Sequence, residues 1–236
     1  MMMKIKHTFF SEDTSVNELP SIEANHALRV LRMQVDDLFY LIDGKGTNLT
    51  CKISRIEGKR LIYDILREEK IEYNGPKVAI GIALPKSKDR INVFLEKTAE
   101  IGIHQIIPLV SKNSERQNFK RDKMQHTLIS ALKQSGNYYL PEVLEPQNFE
   151  VFVKNVDEEK EKFIAHCEED GDKQELKSVY KSGKNALILI GPEGDFTSEE
   201  LILAKENGFI PVSLGNSRLR TETAGIVACH TFHVLY

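Results

Sequence analysis

The sequence has few cysteines and no long apolar run. Its three cysteines, Cys51, Cys167 and Cys229, lie far apart and form no Cys-x-x-Cys pair. This spacing argues against a disulfide framework or a thiolate zinc site and suits a reducing cytoplasm. The longest uncharged apolar runs, such as Ala186–Ile190, are far shorter than the roughly 20 residues that span a bilayer. Residues 1–10 have no apolar core behind their basic residues, so we expect a cytoplasmic protein with no signal peptide and no membrane segment.

The chain also lacks a strong excess of either charge, since its formal net charge is −3. At 236 residues, with 41% apolar and 28% charged residues, the composition indicates one large or two modest globular domains and excludes wholesale disorder. The charge is unevenly distributed: residues 86–133 carry ten Lys/Arg and five acids, whereas residues 142–175 carry twelve acids and four lysines. This asymmetry fits a surface that faces a polyanion, and equally two charged helices that face water.

Residues 1–72 are predicted to form a small, mostly β domain. A short helix is expected over residues 26–33 and a strand over 37–42, followed by a hairpin turn with Gly44 and Gly46. Further strands are expected around residues 49–53, where apolar and polar residues alternate, and over 61–66. Short strands at this spacing predict a small barrel. The polar stretch 67–76 is predicted to be a linker.

From Lys77 onward the pattern changes to that of an α/β domain with a mainly parallel sheet. Short, nearly continuous apolar runs are typical of strands that are buried on both faces. Such runs cover 78–84, 105–110, 162–167, 186–190 and 210–214. Helical periodicity lies between them, over residues 91–101, 123–134, 198–207 and 222–235.

Two glycine-bearing loops follow predicted strands of this domain. The first, Gly191-Pro192-Glu193-Gly194-Asp195, leads into a capping-box pattern formed by Thr197 and Glu200. It matches neither a phosphate-binding loop nor a dinucleotide fingerprint, and its two acidic residues favour a cationic or neutral ligand. Glycine lets a backbone approach a flat ligand closely, and ligands of open α/β sheets collect at such strand ends. An ordinary strand-to-helix turn is the simpler interpretation of this loop alone.

The second loop begins at Gly215 and continues through Arg218 and Arg220 to the last predicted helix. Arginine can donate two hydrogen bonds to neighbouring oxygens, and a helix N-terminus adds positive potential. This loop therefore suits an anion or a carbonyl group. Alternatively, Arg220 and Glu222 satisfy each other. Together the loops predict one small-molecule site between adjacent strand ends. His230 and His233 have no further ligands nearby in sequence, so we expect no metal site.

These motifs resemble the RsmE family of SPOUT methyltransferases, bacterial enzymes that methylate N3 of a uridine in 16S ribosomal RNA. The resemblance covers nearly the whole chain. Its motifs in this sequence are Gly191-Pro192-Glu193-Gly194, Leu214-Gly215, Leu219-Arg220-Thr221-Glu222-Thr223-Ala224, Lys97-Thr98-Ala99-Glu100-Ile101-Gly102, Pro108, Ser114-Glu115-Arg116, Gln134-Ser135-Gly136, Pro141, and His26 with Val30-Leu31-Arg32. The chain departs from the family pattern at Asp195, where a second glycine is usual, and at Ser217 and Arg218.

The resemblance implies a PUA-like RNA-binding β-barrel over residues 1–72 and a SPOUT-type, trefoil-knotted domain with a mainly parallel sheet over 73–236. It further implies a homodimer, 16S ribosomal RNA of the small subunit as substrate, and S-adenosylmethionine as cofactor, whose sulfonium cation agrees with the acidic first loop. The residues it implies for the cofactor site are Ile190, Gly191, Pro192, Glu193, Gly194, Leu214, Gly215, Leu219, Arg220, Thr223 and Ala224. His166 is added to this predicted set because it ends a predicted strand on the ligand side.

The expected chemistry requires a uridine anion, because N3 is a poor nucleophile until its proton leaves. Arg220 is expected to stabilise the charge that spreads onto the uracil carbonyl oxygens, and Glu222 to take the proton or to orient Arg220. The expected RNA contacts are Arg29 and Arg32 on one helical face, Lys86, Lys88 and Arg90 on the loop after the first strand of the second domain, Arg116, Gln134 and Ser135. Methylation of a ribose 2′-hydroxyl or guanine N1, and RNA binding without catalysis, remain alternatives.

Overall fold

The computed structural model describes residues 5–115, 119–156, 160–168 and 173–236. Its first compact unit contains residues 1–73 together with residues 132–140, and its second contains 74–131 and 141–236. Residues 132–140, which sequence reasoning assigned to the second domain, thus belong to the first unit. Arg116 lies outside the described residues, as do residues 157–159 and 169–172, which are acidic except for Gly171.

The first unit is built on four strands and a short helix. Within the described ranges its elements are β1 (Thr8–Phe10), α1 (Ser21–Asn25), a π-helical turn (His26–Val30), β2 (Leu38–Ile42), β3 (Thr47–Glu57) and β4 (Arg60–Lys70). The sheet order is β1-β2-β3-β4, with β1 parallel to β2 and the other pairs antiparallel. The core includes Phe9, Phe39, Cys51, Ile53 and Tyr63, all at most 1% exposed, which confirms the alternation predicted for β3.

Three details of this unit differ from the sequence prediction. The helical segment begins at Ser21 and ends at Val30, and Arg32 beyond it has a left-handed backbone with φ 56°. Arg29 and Arg32 are both exposed, but the expected helical face shared by them was wrong because the helix ends between them. The linker is also shorter than predicted, because residues 67–70 pair with residues 47–50 as the end of β4.

The segment 132–140 is held to the β2–β3 hairpin by backbone hydrogen bonds. Gly46 donates to the carbonyl of Tyr138 at 3.0 Å, and the amide of Leu140 donates to the carbonyl of Gly44 at 2.9 Å. Lys133 forms an ion pair of 2.5 Å with Glu23, which is 7% exposed. The exposed residues Gln134 and Ser135 are therefore anchored within the first unit.

The second unit has a parallel sheet with helices between its strands. Its described elements are β5 (Val78–Ile82), α2 (Lys88–Ile101), β6 (Gln105–Val110), α3 (Arg121–Ser135, which ends in the first unit), β7 (Glu142–Val143), β8 (Gln147–Asn148), α4 (Phe149–Lys154), β9 (Glu161–Ala165), β10 (Gln174–Glu175), α5 (Leu176–Val179), β11 (Ala186–Ile190), α6 (Ser198–Glu206), β12 (Ile210–Ser213) and α7 (Thr221–Val234). All pairs in the order β10-β12-β9-β11-β5-β6-β7 are parallel, and β8 also pairs with β6.

This topology confirms the predicted α/β class with a mainly parallel sheet. Helix α2 ends at Gly102, whose φ of 114° is typical of a glycine C-cap, and α6 begins with the predicted capping box of Thr197 and Glu200. Two predictions need correction. Lys88 and Arg90 lie in the first turn of α2 rather than in a loop, with only Lys86 before the helix. Strands β11 and β12 are not adjacent, because β9 lies between them.

Neither a membrane-spanning helix nor a metal-binding cluster is present in the described ranges. None of the helices there combines the length and hydropathy needed to cross a membrane. No group of three or more His, Cys, Asp or Glu residues in the same ranges is arranged to hold a metal ion.

Candidate active site at the carboxyl ends of three strands

A cavity of about 610 Å³ opens where β9, β11 and β12 end in the second unit. Its size lies within the range that is common for cofactor and small-molecule sites. Ten of the twelve predicted cofactor residues line it: His166, Ile190, Gly191, Pro192, Glu193, Leu214, Gly215, Leu219, Arg220 and Ala224. Gly194 and Thr223 are chain neighbours of lining residues but do not line the cavity themselves. The intervening strand β9 explains why His166 shares one cavity with both loops.

The two glycine loops are bonded to each other. The buried hydroxyl of Thr221 donates to the carbonyl of Gly191 at 3.1 Å, which joins the first residue of α7 to the first loop. Arg218 donates to the carbonyl of Glu193 at 3.4 Å. These hydrogen bonds hold the second loop against the first, so that the two loops together form one wall of the cavity.

The first loop has little room for larger residues. A Cβ added at Gly191 would lie 3.1 Å from Oδ1 of Asp195 and 3.2 Å from the ring of Phe196, closer than ordinary van der Waals contact. The phenyl ring of Phe196 is 2% exposed and packs against Phe149, so it has little freedom to move aside. Glycine at 191 therefore lets the first loop pack closely against Asp195 and Phe196, and it lines the cavity with backbone alone.

Several lining residues were not among the predicted cofactor residues. They are Ala165, Cys167, Lys173, Asp195, Val212, Ser213, Asn216, Ser217, Arg218 and Thr221. Cys167 and Lys173 follow β9, and the ammonium group of Lys173 donates to the carbonyls of His166 and Glu168 at 3.3 and 2.8 Å. For Cys167 and Lys173, the sequence signal was the end of the strand predicted before them. The strand order, which the sequence does not give, places that strand end between the two loops.

The predicted catalytic pair is arranged differently from expectation. Arg220 is exposed, lines the cavity and forms the N-cap position of α7. Glu222 is 7% exposed and lies in the first turn of α7, outside the cavity lining. Among the residues that the structure describes, its ion pair is with Arg90, at 3.8 Å, and no ion pair joins it to Arg220. The alternative that Arg220 and Glu222 simply satisfy each other is therefore not what the structure has.

Arg90, which lies in the first turn of α2, is close to two carboxylates. Its Nη1 atom is 3.6 Å from Oε1 of Glu193, and its Nε atom is 3.8 Å from Oε1 of Glu222. Arg90, which was predicted to contact an RNA phosphate, thus has two acidic neighbours. Lys86, by contrast, is exposed and pairs with Glu115 at 3.1 Å, and Lys88 is exposed.

The cavity also contains a thiol with a perturbed pKa. Burial, and secondly the nearby carboxylate of Asp195, raise the pKa of the Cys167 thiol. The other two cysteines are buried, and burial raises the pKa of Cys51 to about 12. None of the three is set up as a nucleophile, because each thiol is shifted away from the reactive thiolate.

A parallel sheet with a cavity at its strand carboxyl ends, in a chain that also has a small β unit, is typical of two-unit proteins with a small-molecule site. Comparison with known proteins specifies it further. Residues 73–233 match the family model described as the RNA methyltransferase domain, and residues 23–66 match the RNA methyltransferase PUA domain. These matches confirm the predicted PUA-like unit followed by an α/β methyltransferase-type domain.

Individual relatives cover nearly the full chain. A solved structure from Porphyromonas gingivalis, named a probable rRNA-methyltransferase, is 36% identical with a TM-score of 0.92, covering 98% of both chains. Ribosomal RNA small subunit methyltransferase E from Neisseria gonorrhoeae, solved bound to S-adenosyl methionine, is 28% identical with a TM-score of 0.87, also covering 98% of both. The protein of that name from Synechocystis is 30% identical over 92% of this chain and 72% of its own length. The chain belongs to the ribosomal RNA small subunit methyltransferase E family, which confirms the resemblance to RsmE proteins.

Proposed function

We propose that this protein transfers a methyl group from S-adenosylmethionine to N3 of a uridine in 16S ribosomal RNA. Family membership supports a methyltransferase that acts on ribosomal RNA of the small subunit. The observation that carries the proposal is the cavity of about 610 Å³ formed by both glycine loops, with Arg220 in its wall. The choice of N3 rests on the resemblance of the Arg220–Glu222 loop and of the first unit to the RsmE family.

The residues around the cavity fit S-adenosylmethionine. Backbone without side chains at Gly191 and Gly215 suits a flat adenine ring. Among the described residues, apart from the chain neighbours of Gly215, no atom lies within 4 Å of where a Cβ at Gly215 would be. Glu193 and Asp195 supply negative charge for a cationic ligand, while Lys173 and Arg218 can meet a carboxylate. When bound, the cofactor supplies a methyl group that its positive sulfur activates.

Arg220 is the residue that we assign to charge stabilisation. Its guanidinium is exposed at the cavity and stands at the N-terminus of α7, where the helix adds positive potential. A uracil ring that loses its N3 proton spreads negative charge onto its carbonyl oxygens, and a guanidinium donates stronger hydrogen bonds to charged oxygens than to neutral ones. Donors that are fixed in place before the reaction lower the barrier because they need no reorganisation.

We assign Glu222, in the first turn of α7, the role of positioning Arg90. Its buried carboxylate faces Arg90 rather than Arg220, so its nearest charged partner is on α2. We propose that it holds Arg90 beside Glu193 and so fixes the first loop relative to α7. Removal of the N3 proton by Glu222 remains the alternative role, and the substitution Glu222→Gln separates the two because glutamine keeps the shape without acting as a base.

The first unit is proposed to bind RNA and the second to bind the cofactor. Arg29, Arg32, Gln134 and Ser135 are exposed on the first unit, and Lys86 and Lys88 are exposed on the second. Lysine and arginine contacts with phosphates contribute salt-dependent affinity that is independent of sequence. A homodimer and a trefoil knot belong to the same proposal because the family resemblance implies them. A cytoplasmic location belongs to it because the three isolated cysteines suit a reducing compartment.

Titration calorimetry with S-adenosylmethionine and mapping of the methylated position test this proposal. We expect the protein to bind the cofactor and to restore one N3-methyluridine in 16S ribosomal RNA from cells that lack it. A methyl group on a ribose 2′-hydroxyl or on guanine N1 would contradict the proposed position while retaining the enzyme class. Absence of cofactor binding, with RNA binding preserved, would identify a non-catalytic RNA-binding protein instead.

A further inference from the structure

Asp195 has a backbone conformation that is unusual for a residue with a side chain. Its φ of 64° lies in the left-handed region, which glycine adopts freely and other residues adopt at a cost. Aspartate is among the few residues that tolerate it, because its short side chain can hydrogen-bond to nearby backbone. A glycine would be sufficient for the turn at this position, so the aspartate side chain has a role other than forming the turn.

The carboxylate of Asp195 joins two segments that are far apart in sequence. Its Oδ2 atom accepts a hydrogen bond from the amide of Cys167 at 2.6 Å, and its Oδ1 atom accepts one from the amide of Phe196 at 2.9 Å. Cys167 follows β9, whereas Asp195 follows β11, and the two strands are neighbours with Ala165 opposite Ile190. One side chain therefore ties together the chain segments that leave two adjacent strands.

Both ends of this connection line the cavity. The distance between the segments after β9 and β11 sets the width of the cavity on that side. Without an acceptor at 195, the amide of Cys167 loses a hydrogen bond to a charged group, which is among the stronger kinds in proteins. The backbone at Cys167 would then lose its hydrogen bond to the side chain of the first loop.

A second tether holds the same loop from the opposite side. The side-chain amide of Asn113, which follows β6, donates to the carbonyls of Gly194 and Asp195 at 3.2 and 3.0 Å. The backbone amide of Lys112 donates to Glu200 at 2.9 Å. The first loop is therefore fixed toward β6 by Asn113 and toward β9 by Asp195, so that each tether can be removed separately.

We propose that Asp195 is a positioning residue that sets the shape of the cofactor cavity by tying the first loop to the segment after β9. This inference rests on the proposed function, because it assigns the cavity to S-adenosylmethionine. Asp195 acts through the backbone of Cys167 and takes no part in methyl transfer. It combines a left-handed turn, which glycine could also provide, with an acceptor, which glycine lacks.

Two substitutions separate the turn from the tether. Asp195→Gly retains the left-handed backbone and removes the acceptor, whereas Asp195→Asn retains one acceptor oxygen and still tolerates this conformation. We expect Asp195→Gly to weaken S-adenosylmethionine binding about tenfold, since a hydrogen bond to a charged group is lost. Asp195→Asn is expected to recover most of that loss. Asp36→Gly is the matched control, because Asp36 has a φ of 74° in the first unit and does not line the cavity.

Calorimetry with S-adenosylmethionine and steady-state kinetics measure the effect on the wild type and the three variants. The expected pattern for Asp195→Gly is a raised KM for the cofactor, with kcat at saturating cofactor and KM for RNA close to the wild-type values. A general loss of folding would instead lower the melting temperature and kcat together, and this result would overturn the inference. Unchanged affinity in Asp195→Gly, or an equal loss in Asp36→Gly, would also overturn it.

The wild-type titration separates this inference from the proposed function. A wild-type protein that binds no S-adenosylmethionine overturns the proposed function, and the inference with it. A wild type that binds the cofactor, together with a glycine variant that binds it equally well, overturns the inference alone. Asn113→Ala is also expected to weaken binding, and its effect is expected to couple with that of Asp195→Gly, because Asn113 donates to the carbonyl of Asp195 itself.

Discussion

Arg90 and Glu222 form an ion pair of 3.8 Å between the first turn of α2 and the first turn of α7. The Glu222 side chain is 10% exposed and that of Arg90 is 35% exposed, so water screens this pair only in part. Glu193 lies 3.6 Å from the same guanidinium. Arg90 therefore supplies positive charge to two carboxylates, one on the first loop and one on α7.

The first prediction concerns the stability that Arg90 provides. We expect Arg90→Ala to lower the free energy of unfolding by about 1–2 kcal/mol, because a mostly buried carboxylate loses its charged partner. Denaturant unfolding measures the change. Lys97→Ala is the control on the same helix, since its pair with Glu100 is more exposed and is expected to contribute less than about 1 kcal/mol. Equal losses of free energy of unfolding in the two variants would show that the Arg90 ion pair stabilises the protein no more than a more exposed pair does.

The second prediction concerns catalysis by Arg220. We expect Arg220→Ala to lower kcat about 100-fold, the typical effect of removing one fixed donor from an oxyanion-type site. Arg218→Ala is the control, because Arg218 also lines the cavity but donates to the carbonyl of Glu193. Single-turnover methyl transfer with saturating cofactor measures the step and removes any effect on cofactor affinity. Near-normal turnover in Arg220→Ala would exclude Arg220 from the mechanism.

Glu222→Gln belongs to the same kinetic series. If Glu222 only holds Arg90, we expect turnover within about tenfold of wild type, because an oriented amide still accepts a hydrogen bond. If it removes the N3 proton, the loss is expected to approach the larger range that general-base catalysis supports, about 100-fold or more. The pH dependence of the variant distinguishes the two roles further, since loss of a general base removes the corresponding limb of the profile.

The strands of the second unit could be predicted because burial leaves a direct mark on sequence. Gln105–Val110 and Ala186–Ile190 were predicted to the residue, since both faces of these strands are covered and nearly every side chain is apolar. The end of β4 was missed for the opposite reason. Residues 67–70 are charged and mostly exposed, and they join the sheet only because β3 is long enough to pair with them.

The site could be predicted only in part. The chemistry of the two glycine loops indicated only a small-molecule site, and ten cavity residues were predicted mainly through the resemblance to a known family. The contact between Asp195 and Cys167 could not be predicted, because it spans 28 residues and its donor is a backbone amide, which every residue except proline has. The pairing of Glu222 with Arg90 likewise depends on how α2 and α7 pack, and periodicity does not determine that.

The third prediction concerns binding of RNA. We expect affinity for a 16S ribosomal RNA fragment to fall steeply with added salt, because lysine and arginine contacts release counterions from phosphates. Lys88→Ala is expected to reduce the slope of log affinity against log salt by about one unit if Lys88 contacts one phosphate. Lys177→Ala is the control, since Lys177 pairs with Glu175 at 2.9 Å. A flat salt response in the wild type would contradict the assigned phosphate contacts.

The fourth prediction uses the raised pKa of the Cys167 thiol. Burial is the larger cause and the Asp195 carboxylate the second, so a thiolate forms at higher pH than in an unperturbed cysteine. Because only the thiolate reacts, alkylation by iodoacetamide near pH 8 should be slower than in a model peptide. Asp195→Asn removes the repelling charge, lowers the pKa of Cys167 and speeds the reaction. Mass spectrometry over a pH series measures both rates, and an unchanged midpoint in Asp195→Asn would refute the electrostatic contribution.

The last prediction concerns the packing of α7 on α2. A Cβ added at Gly225 would lie 2.6 Å from the ring of Phe94, which is fully buried, and 3.4 Å from Ile82. Alanine favours a helix by about 1 kcal/mol over glycine, but overpacking a rigid core costs about 1–3 kcal/mol, so we expect Gly225→Ala to lower the free energy of unfolding. In a Phe94→Leu background the added methyl group has space. There the same change should be neutral or stabilising, and a double-mutant cycle measured by denaturant unfolding would then show coupling between the two positions. Equal effects of Gly225→Ala in both backgrounds would mean that the ring of Phe94 is not what limits the approach of the two helices.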